Sequence, residues 1–160
     1  VYKSYYTRVG EGPFPTELND EIGEKIRNQG NEYGSTTGRP RRCGWFDSVA
    51  AKYTAMLNGV DEIALTLLDV FSGFQTIKIC TEYRLGEKSI DEFPYDADEL
   101  SNVIPQYIDL PGWEEDISEI KKFSHLPSNA KKYVQTVEKL LERKVSIISV
   151  GAERNQTIFK

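Results

Sequence analysis

Two short, nearly unbroken apolar runs limit what this chain can build. Glu62 to Phe71 (EIALTLLDVF) and Val145 to Val150 (VSIISV) lack the in-and-out alternation of a strand with one wet face. Strands covered on both faces read this way, as in the parallel part of an α/β sheet. A third run, Gln75 to Arg84, does alternate, with Ile77, Ile79, Thr81 and Tyr83 facing one way. Helical spacing fills the intervals. Leu18, Ile22 and Ile26 recur every fourth residue, with Thr16 suited to cap a helix starting near Glu17 and Gly30 suited to its exit. Asp47 reads as the cap of a second helix with Val49, Tyr53, Met56 and Leu57 inward and Asn58-Gly59 as the stop. Ser128 or Asn129 opens a third, along which Tyr133, Val134, Val137, Leu140 and Leu141 form an inward stripe. Strands interleaved with helices predict an α/β fold, a mixed sheet with helices, in a single domain over residues 1–160.

Composition closes off several function classes. With 39% hydrophobic and 28% charged residues, the chain suits one buried core. No stretch approaches the roughly 18–20 apolar residues of a membrane span. The start, Val1 to Tyr6, lacks a signal layout and an initiator Met, which predicts a processed or shortened chain. Two cysteines, Cys43 and Cys80, point to a reducing compartment. A single histidine, His125, leaves no His-rich metal centre and no metal ligands are assigned. The net charge of −5 hides strong asymmetry: residues 86–119 carry one basic and eleven acidic residues, and residues 120–160 carry nine and three. Nothing resembles the broad basic field of a nucleic-acid binder. Residues 86–125 are expected to form an acidic excursion anchored by Phe93, Tyr95, Tyr107 and Trp113, its acid in solvent.

The segment richest in chemistry runs from Asn31 to Asp47. Within it Ser35, Thr36 and Thr37 supply hydroxyls, Gly34 and Gly38 allow close backbone approach, and Arg39, Arg41 and Arg42 supply guanidiniums. Planar paired donors match a carboxylate or phosphate, so residues 31–44 read as an anion-binding loop. The competing reading is a solvated basic loop with weak surface ion pairs. Thr66-Leu67-Leu68-Asp69 places a carboxylate at a strand end, where α/β sheets hold ligands. A carboxylate can accept paired donors such as guanine presents, although by itself this motif reads more readily as a turn-bonding Asp. Ser149-Val150-Gly151 and Thr7-Arg8-Val9-Gly10-Glu11-Gly12-Pro13 are strand-to-turn segments that a base or sugar could rest on. Alone, each reads as an ordinary turn.

Taken in order, four segments resemble the adenylosuccinate synthetase family. They are Thr7-Arg8-Val9-Gly10-Glu11-Gly12-Pro13-Phe14-Pro15-Thr16-Glu17-Leu18, Gly34-Ser35-Thr36-Thr37-Gly38-Arg39-Pro40-Arg41-Arg42-Cys43-Gly44-Trp45, Leu65-Thr66-Leu67-Leu68-Asp69, and Ser149-Val150-Gly151 followed by Arg154. The resemblance is to the C-terminal part of that P-loop-NTPase-like fold. It implies a GTP-dependent ligase that condenses IMP and L-aspartate to adenylosuccinate, releasing GDP and phosphate. It implies that Ser35, Thr36, Thr37, Gly38, Arg39, Pro40 and Arg41 form the aspartate loop, and that Arg39, Val9 and Gly10 contact IMP. Arg41 would also stabilise the transferring phosphoryl group. Leu67, Leu68, Asp69, Ser149, Val150 and Gly151, with Arg41, would bind GTP.

Two positions depart from the family pattern: Leu67 stands where Lys is usual, and Pro40 where many members carry Arg. The resemblance further implies Mg2+ as a cofactor, a homodimer and a cytoplasmic location. The phosphate loop and the catalytic Asp and His would lie in a missing N-terminal portion, so this chain by itself is expected to be inactive. The alternative is a non-catalytic nucleotide- or anion-binding module. Interaction through the acidic stretch is a third reading.

Overall fold

The computed structural model describes residues 1–160, which divide into two compact units. One comprises Val1–Ser4, Ala51–Ile77 and Asp109–Lys160; the other comprises Tyr5–Ala50 and Lys78–Ile108.

The first unit is built on a mixed four-stranded sheet. Strands β1 (Tyr2–Lys3), β5 (Glu62–Thr66) and β9 (Lys144–Ser149) run parallel, and β10 (Thr157–Phe159) closes the order β1-β5-β9-β10 antiparallel to β9. Ile63, Leu65, Val145 and Ile148 are fully buried, as two-sided cover requires. Helix α4 (Ser128–Leu141) buries Ala130, Tyr133, Val134, Val137 and Leu141 along one face, while Leu140 is only half-buried. Phe71 meets Phe74, Trp113 and Tyr133 edge-on, with centroids 5.5–6.4 Å apart. The Tyr133 hydroxyl donates to the Ser4 carbonyl.

Two expectations for this unit need correcting. The apolar run from Glu62 is not one strand: the ladder ends at Thr66, Leu67 turns left-handed (φ 59°), and Leu68–Phe71 form a 3₁₀ turn. Leu68, Val70 and Phe71 are apolar because that turn is buried, not because they pair in a sheet. Helix α2 (Ser48–Leu57) forms as its pattern predicts, but Met56 and Leu57 are 61% and 62% exposed. The small residues Ala51 and Ala55 occupy the buried face instead.

The second unit carries a two-stranded ribbon and most of a second four-stranded sheet. Strand β2 (Tyr6–Arg8) pairs antiparallel with β3 (Arg42–Gly44), Arg8 facing Arg42. Strand β4 (Phe46–Asp47) runs parallel to β6 (Thr76–Leu85), which also pairs with β7 (Lys88–Ile90) and β8 (Ile104–Pro111). Asp47 caps α2 as its sequence suggests, accepting from the Val49 and Ala50 amides at 3.1 Å each, and its other oxygen takes the Tyr83 hydroxyl. Burial pushes the Asp47 carboxyl up from the usual range, opposed by those three donors.

Helix α1 (Glu21–Gln29) starts later than predicted. Asp20 is its cap, accepting from the Gly23 amide at 3.0 Å, whereas Thr16 is buried and its carbonyl receives the Trp45 amide. Ile26 is buried but Ile22 is 40% exposed. In the acidic stretch, Asp96 caps the short helix α3 (Ala97–Asn102). Phe93 and Tyr107 pack against Val49, Cys80, Tyr83 and Val103. Tyr95 is 83% exposed, so it does not anchor the stretch in the core.

Candidate functional site

In the first unit, two predicted motifs follow adjacent parallel strands. Leu65 on β5 is level with Ile148 on β9, so both strands deliver their carboxyl ends to one edge. Leu67–Asp69 leave from one and Ser149–Gly151 from the other, the place where open α/β sheets receive ligands. The left-handed backbone at Leu67 makes the turn that carries Asp69 off the ladder.

Oδ1 of Asp69 is buried and has no hydrogen-bond partner. Desolvation raises the Asp69 carboxyl above its ordinary value and Asp116 adds to this, while the residue's own backbone amide opposes it. Beyond β9, the loop closes around Gln156: the Val150 amide bonds the Gln156 carbonyl at 2.9 Å, and Gln156 Oε1 accepts from the Glu153 amide at 2.9 Å. Ser149 Oγ donates to the Gly151 carbonyl at 2.8 Å. A Cβ on Gly151 would stand 2.1 Å from Gln156 Oε1, so a larger residue there would displace the Gln156 side chain that ties the loop. The Leu68 and Val150 side chains are fully buried.

In the second unit, residues 33–40 form a loop tied off at its base. The Arg41 amide bonds the Glu32 carbonyl, the Glu32 amide bonds the Arg27 carbonyl, and Arg27 Nε bonds the Arg41 carbonyl, all at 2.9 Å. Tyr33 and Pro40 make a bridge, and the Gly34 amide reaches the Arg39 carbonyl at 2.9 Å. Ser35, Thr36, Thr37, Gly38, Arg39 and Pro40 are all exposed, with Gly38 at φ 65° turning the tip. Chain direction brings this loop and Val9-Gly10 to one end of the β2–β3 ribbon, because Arg41 enters β3 where Arg8 leaves β2. Val9 is 79% exposed there.

The three guanidiniums have different surroundings. Arg39 is at the exposed tip. Arg41 is paired to Glu32 at 2.7 Å, and Glu32, 1% exposed, also takes the Tyr5 hydroxyl at 2.7 Å. Arg42 is used within the fold: it grips Glu17 through two bonds of 2.7 and 2.6 Å and bonds the Gly10 and Gly12 carbonyls at 3.1 and 2.9 Å. Its guanidinium also stands 5.5 Å from the Phe14 ring centroid. The Arg42 bond holds the Glu17 carboxyl below its usual value. Of the expected trio of cations, Arg42 is taken up within the fold, shaping the Val9–Gly12 turn, which leaves Arg39 and Arg41 as the candidates for an anion.

Sequence reasoning missed Glu32, Glu17 and Tyr5. No local signal marks them, since Arg42 and Glu17 are 25 positions apart and Tyr5 and Glu32 are 27 apart. His125 ends a short 3₁₀ turn away from both motif groups in sequence. No group of three or more His, Cys, Asp or Glu side chains could hold a metal ion, and no helix is long and apolar enough to cross a membrane.

The family model described as Adenylosuccinate synthetase matches residues 1–158. The chain is 56% identical over 159 residues to the adenylosuccinate synthetase of Desulforamulus reducens, covering 99% of the chain and 37% of that relative. It is 54% identical over 160 residues to that of Clostridioides difficile, covering 100% of the chain and 37% of the relative. The solved structure of fully ligated adenylosuccinate synthetase from Plasmodium falciparum superposes with a TM-score of 0.96 at 43% identity, over 100% of this chain and 39% of that one. The chain thus spans little more than a third of the length of the relatives it matches. With a family match along almost its whole length and a mixed α/β fold shared with a solved member, the chain belongs to the adenylosuccinate synthetase family.

Proposed function

We propose that this chain is the part of a GTP-dependent ligase that supplies the aspartate loop and the guanine-reading residues. The full protein joins IMP and L-aspartate into adenylosuccinate and releases GDP and phosphate. The observation that carries this reading is the buried, partnerless Oδ1 of Asp69 at the carboxyl ends of two parallel strands. An unsatisfied buried acceptor costs about 1–3 kcal/mol, which a ligand donor recovers on binding. Guanine offers paired N–H donors on one edge, and a carboxylate accepts both. Leu67 in its left-handed turn, the Leu68 backbone and the Ser149–Gly151 loop flank that base.

In the second unit, Thr36 and Thr37 donate to the aspartate carboxylates, with Ser35, Gly38 and Pro40 shaping the loop around it. Arg39 bridges aspartate and the IMP ribose, and Val9 and Gly10 line the IMP pocket. Chemistry proceeds in two displacements. IMP O6 forms a bond to the γ-phosphorus of GTP as the bond to the leaving GDP breaks. The aspartate amine then bonds to C6 and phosphate departs with O6. Arg41 offsets charge that develops on the transferring group and on aspartate. Closure of residues 35–41 keeps water from the phosphorylated intermediate.

Mg2+ belongs to the reaction expected of this family, but no side-chain cluster here suits it, so its ligands would lie in the rest of the protein. The phosphate loop and proton-transfer groups would lie there too. A cytoplasmic homodimer is the expected working form. Calorimetry with GTP and IMP, on this chain and on the longer protein, tests the reading. The longer protein is expected to bind both and to form adenylosuccinate, and the 160 residues to show no turnover. Adenylosuccinate formation by the 160 residues refutes the inactivity, and absence of GTP binding by the longer protein refutes the ligase reading.

A further inference from the structure

We infer that Glu32 is a positioning residue for Arg41, held in place by Tyr5 through a gap left by Gly30. This inference rests on the reading of Arg41 as the charge-stabilising group. Glu32 is 1% exposed, and both carboxylate oxygens are held: Oε1 takes the Tyr5 hydroxyl and Oε2 takes Arg41 Nη1, both at 2.7 Å. Burying a carboxylate beside a guanidinium that is 34% exposed is a poor route to stability, because desolvation cancels most of the attraction. It is an effective route to orientation.

The backbone of Arg41 is fixed on both sides, its amide to the Glu32 carbonyl and its carbonyl to Arg27 Nε, at 2.9 Å each. Glu32 then fixes the far end of the side chain through a single nitrogen, Nη1. The other donors of the fork remain for substrate oxygens. A free arginine side chain samples many rotamers, and a guanidinium fixed before substrate arrives does not lose that freedom on binding.

Gly30 gives an independent sign that this arrangement is built. Its φ of −82° is ordinary for any residue, so glycine is not needed for the turn. A Cβ there would stand 2.1 Å from the Tyr5 hydroxyl oxygen. The position is kept empty so that the hydroxyl can reach Glu32.

The test uses the full-length protein and a double-mutant cycle of Glu32→Gln with Arg41→Ala, reading kcat, the KM for aspartate, the KM for GTP and Tm. Glu32→Gln keeps the shape and removes the charge. It is expected to lower kcat/KM for aspartate by about 10–100-fold, as loss of an orienting charged bond does, with a smaller change in the KM for GTP, whose base is read by Asp69. In the Arg41→Ala background the same change is expected to cost less than about threefold, because coupled residues are non-additive. Equal losses in both backgrounds, or no effect of Glu32→Gln on aspartate kinetics, overturn the inference. If Arg41→Ala itself leaves turnover intact, the reading of Arg41 fails instead. Should Glu32→Gln not fold, Tyr5→Phe replaces it. That variant is expected to show the same aspartate-selective loss at about 3–10-fold, and an equal loss beside Arg41→Ala overturns the inference.

Discussion

Two regions of this molecule hold charge away from bulk water, and they do so in opposite ways. In the loop that ends at Arg42, two of the three cations already have carboxylates: Glu32 for Arg41 and Glu17 for Arg42. At the carboxyl ends of β5 and β9, Asp69 is raised by desolvation and one of its oxygens bonds nothing. In the first, each of these two cations is met before any ligand arrives: the Arg42–Glu17 clasp shapes the fold and the Glu32–Arg41 pair fixes an orientation. The second costs stability until a ligand supplies donors. The contrast teaches that stability and recognition should separate at Asp69 and move together at Arg42.

The largest expected effect is at Asp69. Asp69→Asn in the full protein removes a charged acceptor of two N–H bonds worth about 1.5–3 kcal/mol each, so kcat/KM for GTP should fall about 10²–10⁴-fold. Steady-state kinetics with each substrate varied in turn should show the loss confined to GTP. A matching loss for aspartate would break the contrast. Arg42→Ala comes next. It deletes two bonds to Glu17 and two to the Gly10 and Gly12 carbonyls, and should cost about 1–3 kcal/mol by denaturant unfolding. A higher KM for IMP should accompany it, because the Val9–Gly12 turn loses its clasp.

Smaller still is the acid response of that pair. Glu17 has its pKa lowered from 4.5 by the Arg42 bond, so its contribution is complete above that pH and is lost as pH falls through the lower folded value. Glu17→Gln should flatten this part of the stability profile, measured as Tm against pH. The smallest effect has the opposite sign. Asp69 is raised in the fold, so its ionised form opposes folding above the folded value and the strain is relieved on acidification. Tm of Asp69→Asn at neutral pH should therefore equal or slightly exceed that of the unaltered protein, even as GTP recognition collapses.

Much of the frame was legible in the residues. The run Val145 to Val150 is β9 within one position, Ser128 opens α4, and Asp47 caps α2. Misreadings arose where composition does not distinguish two buried states. An apolar 3₁₀ turn at Leu68–Phe71 looks like the end of a strand, and nothing local announces a left-handed leucine. Thr16 and Asp20 are both good caps, and the choice falls to tertiary bonding, since the Thr16 carbonyl is taken by the Trp45 amide. In the candidate site, the loop and the strand-end acid were visible as motifs. The carboxylates behind the arginines were not, because their partners come from 9 and 25 positions away with no periodic pattern.

The backward-bent peptide at Leu67 has a consequence for how this segment can vary. Because main-chain torsion, and not the side chain, swings Asp69 out of the sheet, the position can exchange a cation for a hydrocarbon without relocating the acid. On the proposed reading, how firmly a base is held and which base is held would fall to different residues, so that one could drift while the other is kept.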